Sequence, residues 1–386
     1  MPDQPVTLKM EGLSVMNASP SEELDFEIRP SASPVPADER ARRLAAPGFG
    51  QVFTDHMATI RWAKDRGWHD ARIEPYGPIT LDPAAQVFHY GQEIFEGLKA
   101  YSQADGGVAT FRPQANAARL NRSAARLAMP ELPESLFVKA IELLVAQDRD
   151  WVPTADGHSL YLRPFMIATA VGLGVNHPSS QYLFSLIASP VAGYFGGEVH
   201  PVTVWLSEDY TRAAPGGTGE AKCGGNYAAA FAGQQEAVDH GCDQVVWLDA
   251  AEHQYVEEMG GMNIFFVYGT GAHARIMTPA PTGSLLHGMT RDSLLKLAPD
   301  LGVPAYESRI SVDEWRKGCA SGEISEVFAC GTAAVITPIG GVRSEHGEWT
   351  IGDGGTGPVA KTLRDELVAI QYGRKADRYG WMHTLA

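Results

Sequence analysis

A glycine-rich stretch with a single lysine is the part of the sequence best suited to chemistry. Residues 216–227 read GGTGEAKCGGNY, with five glycines in the first ten positions. Glycine lets the backbone turn sharply and approach a ligand closely, and a helix is predicted to begin near Gly225, just after Lys222. Tyr227 lies near that helix start, where its hydroxyl can return toward the same pocket. The alternative interpretation is a surface loop with a solvated lysine.

A lysine held in a partly dry pocket can lose its proton and form a Schiff base, the covalent anchor of pyridoxal 5′-phosphate. Such a site needs an arginine and backbone amides for the phosphate, a carboxylate that keeps the pyridine nitrogen protonated, and a donor to the phenolic oxygen. The sequence contains candidates for all three. Lys222 is therefore the candidate catalytic residue.

Net charge limits what else the chain can bind. Its 386 residues include 31 Lys plus Arg and 46 Asp plus Glu, which gives a formal charge of −15. This field repels nucleic acid and anionic membrane surfaces, so we expect small-molecule substrates and a local positive site for any bound anion. The chain has no apolar run of about 18 residues and no signal core at its amino end. These features favour a cytoplasmic protein that does not bind membranes.

Other familiar motifs carry less weight. Residues 352–357 spell G-x-G-x-x-G, the basis of an alternative function as a nicotinamide-dependent oxidoreductase, but only about 30 residues follow, too few for the rest of a dinucleotide-binding unit. Ser293 and Lys296 spell S-x-x-K, which the apolar face of a helix explains. Neither the cysteines (Cys223, Cys242, Cys319 and Cys330) nor the scattered histidines have ligand spacing. We expect no metal.

The elements that must position these residues read as mixed α and β structure. Strands are predicted at 86–90, 108–112, 159–170, 181–189, 202–206, 244–248, 263–268, 326–330 and 334–339. Helices are predicted at 117–127, 134–151, 225–240, 290–297, 312–320 and 357–371, and Ser311 and Glu314 form a capping box for the fifth. A Pro- and Gly-rich stretch marks a domain junction. We expect a polar extension (1–50), a small α+β domain (51–190), an interdomain loop (191–201) and a large domain (202–386).

Nine blocks, in order, resemble the branched-chain aminotransferases, which are fold type IV pyridoxal-phosphate enzymes. They are HYGQEIFEGLKAY (89–101), FRPQANAARLNRSAARL (111–127), SLYLRPF (159–165), GLGV (172–175), GGTGEAKCGGNYAA (216–229), EEMGGMNIFFV (257–267), GMTRDSLL (288–295), EVFACGTAAVITPI (326–339) and IQYGRKAD (370–377). The resemblance covers nearly everything from about Phe53 onward. It implies the two-domain α+β fold of that group, with mixed sheets and helices in the larger domain, and a homodimer.

Carried over residue by residue, the resemblance implies that Lys222 bonds the cofactor and shuttles the substrate's α-proton. Tyr227 is expected on the phenolic oxygen. Arg119 grips the phosphate, together with Met289 and Thr290 at a helix start, a setting that favours an anion, and with Thr332. The carboxylate on the pyridine nitrogen is Glu258, although composition alone does not distinguish it from Glu257.

For the substrate, the resemblance places the α-carboxylate near the amides of Thr332 and Ala333. The remaining candidates are residues of the same subunit and residues near a dimer interface: Phe95, Tyr194 and Gly261, then Tyr90, Tyr161, Arg163, Leu173 and Val175. An apolar wall accepts leucine, isoleucine or valine, and Tyr161 with Arg163 accepts the side chain of glutamate or 2-oxoglutarate by charge-assisted hydrogen bonds. Core packing is the alternative for each aromatic residue.

The implied activity is amino transfer between branched-chain L-amino acids and 2-oxoglutarate, with ping-pong kinetics. Competing activities of the same fold are those of a D-amino-acid aminotransferase and an aminodeoxychorismate lyase, and a catalytically inactive binding protein is a further alternative. One departure from the family concerns a C-x-x-C redox pair, because Ala334 and Thr337 occupy those positions here. A thiol switch at that place is not expected.

Overall fold

The computed structural model describes residues 24–192 and 200–385, and its elements fall into two groups, each built on a nine-stranded sheet. The helices are α1 (Ala37–Ala45), α2 (Val87–Tyr90), α3 (Pro113–Arg126), α4 (Glu134–Gln147), α5 (Gly224–Asp239), α6 (Met289–Asp300), α7 (Val312–Ser321) and α8 (Pro358–Gln371). The expected α+β fold with mixed sheets is confirmed. Among the described residues, no helix has the length and apolar character needed to cross a membrane.

Eight of the described strands lie in the first half of the chain: β1 (Glu27–Ile28), β2 (His56–Ala63), β3 (Gly67–Pro75), β4 (Glu93–Phe95), β5 (Leu98–Ser102), β6 (Val108–Phe111), β7 (Ser159–Ala168) and β8 (Gln181–Val191). Those of the second half are β9 (Val202–Ser207), β10 (Gln244–Leu248), β11 (Val256–Met259), β12 (Met262–Tyr268), β13 (Arg275–Pro279), β14 (Ala305–Ser308), β15 (Ile324–Gly331), β16 (Val335–Ser344), β17 (Gly347–Thr350) and β18 (Met382–Thr384).

The first sheet runs β1-β3-β2-β8-β7-β5-β6-β18, with β4 on β7. All pairs are antiparallel except β1 with β3. Leu120 of α3 and Phe137 and Ile141 of α4 are fully buried in the core of this group. This core fixes the face of α3 that carries Arg119.

The second sheet runs β11-β10-β9-β16-β15-β12-β13-β14, with β17 on β16. Because β11 also pairs with β12, six of its strands close into a ring. Phe265 and Phe328 lie in a core that includes residues of α6 and α8, whereas Phe266 packs edge-on against Trp315 of α7. Alternate residues of β12 thus fill two different cores, as the period of two in a strand requires.

The predicted domain limits are crossed by backbone pairing at both ends of the chain. β1 lies within the predicted extension but pairs with β3, and β18 lies within the predicted large domain but pairs with β6, Met382 opposite Phe111. Residues 1–23 of the extension and 193–199 of the predicted interdomain loop lie outside the described residues. The division into 1–50, 51–190, 191–201 and 202–386 stays a prediction.

One strand prediction is wrong. Residues 86–90 were expected to form a half-buried strand, but Val87–Tyr90 is a single helical turn ended by Gly91, whose φ is 57° and whose N–H donates to the Val87 carbonyl. Neither Phe88 nor Tyr90 is buried, at 62% and 42% exposed. The apparent alternation therefore does not reflect two faces of a sheet, since a short run cannot distinguish helix from strand by period alone.

Candidate active site

A cavity of about 290 Å³ lies between the two groups of elements. Its walls come from α3, β4 and β7 on one side, and on the other from β12, the start of α6 and the turn between β15 and β16. Twelve of the residues predicted from the sequence line it: Phe95, Arg119, Tyr161, Arg163, Lys222, Tyr227, Glu258, Gly261, Met289, Thr290, Thr332 and Ala333.

The backbone of Lys222 is held on both sides by the first group of elements. Its N–H donates to the Ser123 hydroxyl at 2.9 Å, and its carbonyl accepts from the N–H of Phe95 at 2.9 Å. Ahead of it, a Cβ at Gly219 would overlap the backbone of Ser284, so only glycine allows this close approach. The glycine-rich stretch thus presents a lysine whose backbone is fixed.

Asn226 explains how the glycine-rich loop keeps its shape. It is 5% exposed, and its side-chain amide donates to the carbonyls of Thr218 and Ala221 at 2.8 Å each, while its oxygen accepts from the Thr218 hydroxyl at 2.7 Å. All the side-chain hydrogen bonds of this residue therefore return to the loop that precedes it.

The lysine side chain reaches the tyrosine predicted to accompany it. Lys222 Nζ lies 2.9 Å from the Tyr227 hydroxyl and 4.9 Å from the centre of the Phe95 ring. Tyr227 lies in the first turn of α5, and its ring is 5.0 Å from that of Phe95. The amine, a phenol and an aromatic ring thus form one wall of the cavity.

The two adjacent glutamates of β11 point to different places. Glu258 is 2% exposed, lines the cavity, and pairs with Arg212 at 3.0 Å while accepting from the backbone N–H of Leu286 at 2.7 Å. Glu257 lies away from this cavity, where its carboxylate accepts from the hydroxyls of Thr282 and Ser284. The geometry supports Glu258 as the carboxylate that faces a ligand.

Burial raises the pKa of the Glu258 carboxyl, an effect that Arg212 opposes. A buried carboxylate next to one cation still has a free side toward the cavity, and a second positive charge there would favour its ionised form. This site therefore suits a protonated ring nitrogen.

The start of α6 offers donors for an anion. α6 begins at Met289 with no side-chain cap, so the first N–H groups of the helix, those of Met289 and Thr290 among them, have no acceptor within the helix. Arg119 is 4% exposed, grips Glu96 through two bonds of 2.7 Å, and donates to the His287 carbonyl at 3.2 Å. Its guanidinium lines the cavity with its charge already paired, and its role as a phosphate ligand stays a prediction.

The turn from Thr332 to Ala334 joins β15 to β16 and forms another wall. Val335, the next residue, has φ 64°, a conformation that costs a β-branched side chain energy. Lys99, which is 8% exposed, donates to the Ala333 carbonyl at 2.7 Å. The turn is thus fastened to β5 of the other sheet.

Arg163 and Tyr161 lie side by side on β7. Arg163 Nη2 donates to the Tyr161 hydroxyl at 3.1 Å, and its guanidinium carbon lies 4.8 Å from the centre of the Phe95 ring. The buried Nε of Arg163 has no hydrogen-bond partner among the described residues, and no carboxylate of that part of the chain pairs with it. The cavity therefore contains a cation available to a ligand.

Three predicted residues do not line the cavity wall. Tyr90, Leu173 and Val175 are exposed by 42%, 64% and 68%, and the Tyr90 hydroxyl donates to the Leu173 carbonyl at 2.5 Å. Tyr194 lies outside the described residues. The three exposed side chains belong to one surface, and their predicted role at a dimer interface is untested.

Competing motifs have structural explanations. In the G-x-G-x-x-G stretch before α8, the helix-start N–H groups of Val359 and Ala360 donate to the carboxylate of Glu326 at 3.0 and 2.9 Å, so they are not free to hold a pyrophosphate. All four cysteines are free thiols. In the described part of the chain, no cluster of three or more His, Cys, Asp or Glu side chains could hold a metal ion.

Sequence reasoning missed several residues of the site. Phe49 lines the cavity with its ring 5.2 Å from that of Tyr161, and Met262, Asn263 and Gln244 also line it. Arg212 and Lys99 act on its rim through Glu258 and Ala333. Of these residues, only Phe49 could have been suspected from the sequence, because it is an aromatic residue between two glycines directly before the predicted small domain.

Comparison with known proteins agrees with this geometry. The family model for class IV amino-transferases matches residues 93–342. The branched-chain-amino-acid aminotransferase of Mycolicibacterium smegmatis is 58% identical over 371 residues, which cover 96% of this chain and 100% of that protein.

Two solved structures of the T.th. branched-chain amino acid aminotransferase also match. One is with pyridoxamine 5′-phosphate and the other is complexed with N-(5′-phosphopyridoxyl)-L-glutamate. They are 31% and 30% identical to this chain, with TM-scores of 0.68 and 0.67, and each match covers 85% of this chain and 99% of the other. The chain belongs to the class IV aminotransferases, among the branched-chain-amino-acid aminotransferases, and its cofactor is pyridoxal 5′-phosphate.

Proposed function

We propose that this aminotransferase exchanges the amino group between leucine, isoleucine or valine and 2-oxoglutarate, as a cytoplasmic homodimer. The observation that carries the proposal is Arg163, a cation in an otherwise aromatic part of the cavity with no acidic partner among the described residues. The same space can therefore receive an apolar side chain against Phe95 and Phe49, or a carboxylate against Arg163 and Tyr161.

The residues present fit the cofactor. The N–H groups at the start of α6 without helical acceptors suit a phosphate, and buried Glu258 suits a ring N–H. Lys222 Nζ suits a carbonyl carbon, and the Tyr227 hydroxyl next to it suits the phenolic oxygen. When bound, pyridoxal phosphate supplies an electron sink for the negative charge that develops at the substrate's α-carbon.

Lys222 is the base that moves a proton in this proposal. Hydrogen bonds to Ser123 and Phe95 fix its backbone, so the amine can move only by rotation about the side-chain bonds. Tyr227 gives that amine a hydrogen-bond partner at 2.9 Å and so restricts where it can rest. The lysine can then take a proton from the α-carbon and return it at a neighbouring atom, which is general acid–base work at short range.

The turn at Thr332 and Ala333 is the proposed site for the substrate's α-carboxylate. It lines the same cavity as Lys222, and Lys99 donates a hydrogen bond to its Ala333 carbonyl. A fixed turn presents its amides in one direction, which orients the α-carbon toward the lysine.

The dimer is supported by the exposed apolar surface of Phe88, Tyr90, Val171, Leu173 and Val175. All five side chains are at least 42% exposed. An exposed patch of apolar side chains is typical of a protein–protein interface. We infer that a second subunit covers this surface and helps close the cavity.

A substrate panel tests the proposal. Steady-state rates with 2-oxoglutarate as acceptor should be substantial with L-leucine, L-isoleucine and L-valine and negligible with D-alanine, and aminodeoxychorismate should not be cleaved. Turnover of D-alanine alone would contradict the assignment, as would lyase activity without transamination.

Lys222→Ala tests the catalytic lysine. The variant should lose essentially all turnover and the visible absorbance of the lysine-bound cofactor while keeping the circular dichroism of the fold. Lys296→Ala removes an exposed lysine on α6 and is the matched control. Near-normal activity in Lys222→Ala would remove the central claim.

A further inference from the structure

A second cavity, of about 680 Å³, lies beside the start of α6. This groove runs between α3 and α6, and Gly288 and Met289 line both it and the cofactor cavity. Its charged walls are mostly arginine: Arg112, Arg122, Arg126 and Arg291, against the carboxylates Glu220 and Asp292.

The arginines of the groove are only partly neutralised. Asp292 pairs with Arg112 at 2.6 Å, and Glu220 lies 3.4 Å from His287. Arg126 donates to the carbonyls of Gly216 and Gly217, which are uncharged. Arg122 is exposed and has no hydrogen-bond or ion-pair partner in the described part of the chain. A positive excess therefore remains in a chain whose net charge is −15.

Two further features of the groove point to an anion. Arg291 is 4% exposed, and its buried Nε has no hydrogen-bond partner among the described residues, although its Nη2 bonds the Pro279 carbonyl and Glu307. α6 has twelve residues and no side-chain cap, and the carboxylate in its first turn, that of Asp292, is already paired with Arg112. One buried unpaired donor favours an anion on the groove side, and the helix start that the groove shares with the cofactor cavity adds to the positive potential there.

We propose that the groove binds phosphate dianions, esterified or inorganic, at the outer side of the α6 start. Arginine side chains bind phosphate through two parallel hydrogen bonds, and a cleft of one charge sign raises the local concentration and association rate of an oppositely charged ligand. Two sources share this chemistry: free pyridoxal phosphate before it enters the adjacent cavity, and inorganic phosphate. The proposal rests on the cofactor of this family but not on which amino acids are substrates.

The test compares Arg122→Glu with Arg66→Glu. Both substitutions reverse one exposed arginine, but Arg66 lies in the turn between β2 and β3 and does not line the groove. In the first arm, pyridoxal phosphate is added to the full-length apoenzyme and association is followed by absorbance at low ionic strength. Arg122→Glu should lower the association rate constant by about 3- to 10-fold, a difference that shrinks in about 0.5 M salt because the charges are screened.

In the second arm, inorganic phosphate is titrated into the holoenzyme by calorimetry. Wild type and Arg66→Glu should bind phosphate beyond that of the cofactor, and Arg122→Glu should bind it at least about fivefold more weakly. A change in the first arm alone identifies the cofactor as the ligand, and a change in the second alone identifies free phosphate. Equal behaviour of Arg122→Glu and Arg66→Glu in both arms overturns the proposal. The amino-acid substrate panel is independent of either result.

Discussion

We propose that dual substrate recognition depends on Arg163, which lacks an acidic partner in the described structure. Arg163→Gln should raise KM for 2-oxoglutarate by about 10- to 100-fold, the loss expected for one charge-assisted hydrogen-bond pair of about 1.5–3 kcal/mol. KM for L-leucine should change by less than about threefold, since an apolar side chain gains nothing from the charge. Steady-state kinetics with each substrate varied in turn measures both values.

Arg163→Lys is the matched variant, since it keeps the charge but loses the planar fork. Its KM for 2-oxoglutarate should lie between the values for wild type and Arg163→Gln. Equal losses for leucine and 2-oxoglutarate would mean that Arg163 shapes the cavity and does not select the acidic substrate.

Arg119 is expected to serve both the fold and the cofactor. Its pair with Glu96 is buried, with side chains 5% and 0% exposed, so Arg119→Ala strands a carboxylate in the interior. We expect a loss of about 3–5 kcal/mol in the free energy of unfolding, together with weaker retention of pyridoxal phosphate. Urea denaturation and equilibrium dialysis measure the two effects.

The double variant Arg119→Ala/Glu96→Gln separates these effects. Its neutral amide removes the stranded charge, so part of the stability should return while cofactor retention stays weak. Recovery of both would show that Arg119 acts on the cofactor only through the fold.

The sequence predicts several residues of the site, but it does not predict which distant residues those side chains contact. Lys222 and Tyr227 stand in one short segment, so their meeting follows from local chain geometry. Glu257 and Glu258 are neighbours of the same type, and only the facing of β11 separates them. Arg212 meets Glu258 from 46 positions away, a contact that no local pattern encodes.

At the scale of elements, five of the six predicted helices begin within one residue of their predicted start, because the signals for a helix start are local. The Ser311 hydroxyl accepts from the Glu314 N–H at 3.1 Å, the first half of the predicted capping box. Glu314 instead accepts a hydrogen bond from the Tyr268 hydroxyl, at 2.7 Å, tying α7 to β12. The helical turn Val87–Tyr90 was predicted as a strand because of the apparent alternation of its apolar and polar residues. None of these residues is buried, and burial depends on the tertiary structure, which the alternation does not reveal.

Ser311→Ala tests this cap. Loss of one N-cap hydrogen bond should lower the free energy of unfolding by about 1 kcal/mol, with activity unchanged because α7 lines no part of the cofactor cavity. Ser311→Asp should retain most of the stability, since its carboxylate can accept the same N–H. The midpoints of urea denaturation, compared at the same dependence of the unfolding free energy on urea concentration, measure these differences. An unchanged midpoint in Ser311→Ala would show that the cap contributes nothing to stability.

At the scale of the whole molecule, the site exists only where the two groups of elements meet. Ser123 and Phe95 hold the backbone of Lys222, Arg119 reaches the His287 carbonyl, and Lys99 reaches that of Ala333. Each of these bonds joins residues at least 99 positions apart. The sequence predicts two domains, but the way the two sheets face each other depends on many such distant contacts, and no pattern within one element contains that information.

The contribution of Lys99 to the free energy of unfolding should depend on pH. Burial lowers the pKa of its amine from 10.5 to about 8, with the Arg364 charge adding to the effect. The unfolded chain therefore binds this proton more tightly than the folded chain, and the free energy of unfolding contributed by Lys99 should rise as pH increases from about 8 to 10.5. The destabilisation is full below about pH 8 and absent above about 10.5, and its upper limit is about 3 kcal/mol.

Lys99→Met removes this titration together with the hydrogen bond to Ala333. Urea denaturation of wild type and Lys99→Met at about pH 7.5 and about pH 10.5 isolates the proton-linked part, because the lost hydrogen bond contributes at both values. The stability difference between the two proteins should shift in favour of wild type at the higher pH, by up to about 3 kcal/mol. Lys296→Met, on the exposed face of α6, should show no such shift. Parallel pH profiles for wild type and Lys99→Met would contradict a buried amine that loses its proton near pH 8, and would leave the turn at Ala333 held by a lysine that stays charged throughout.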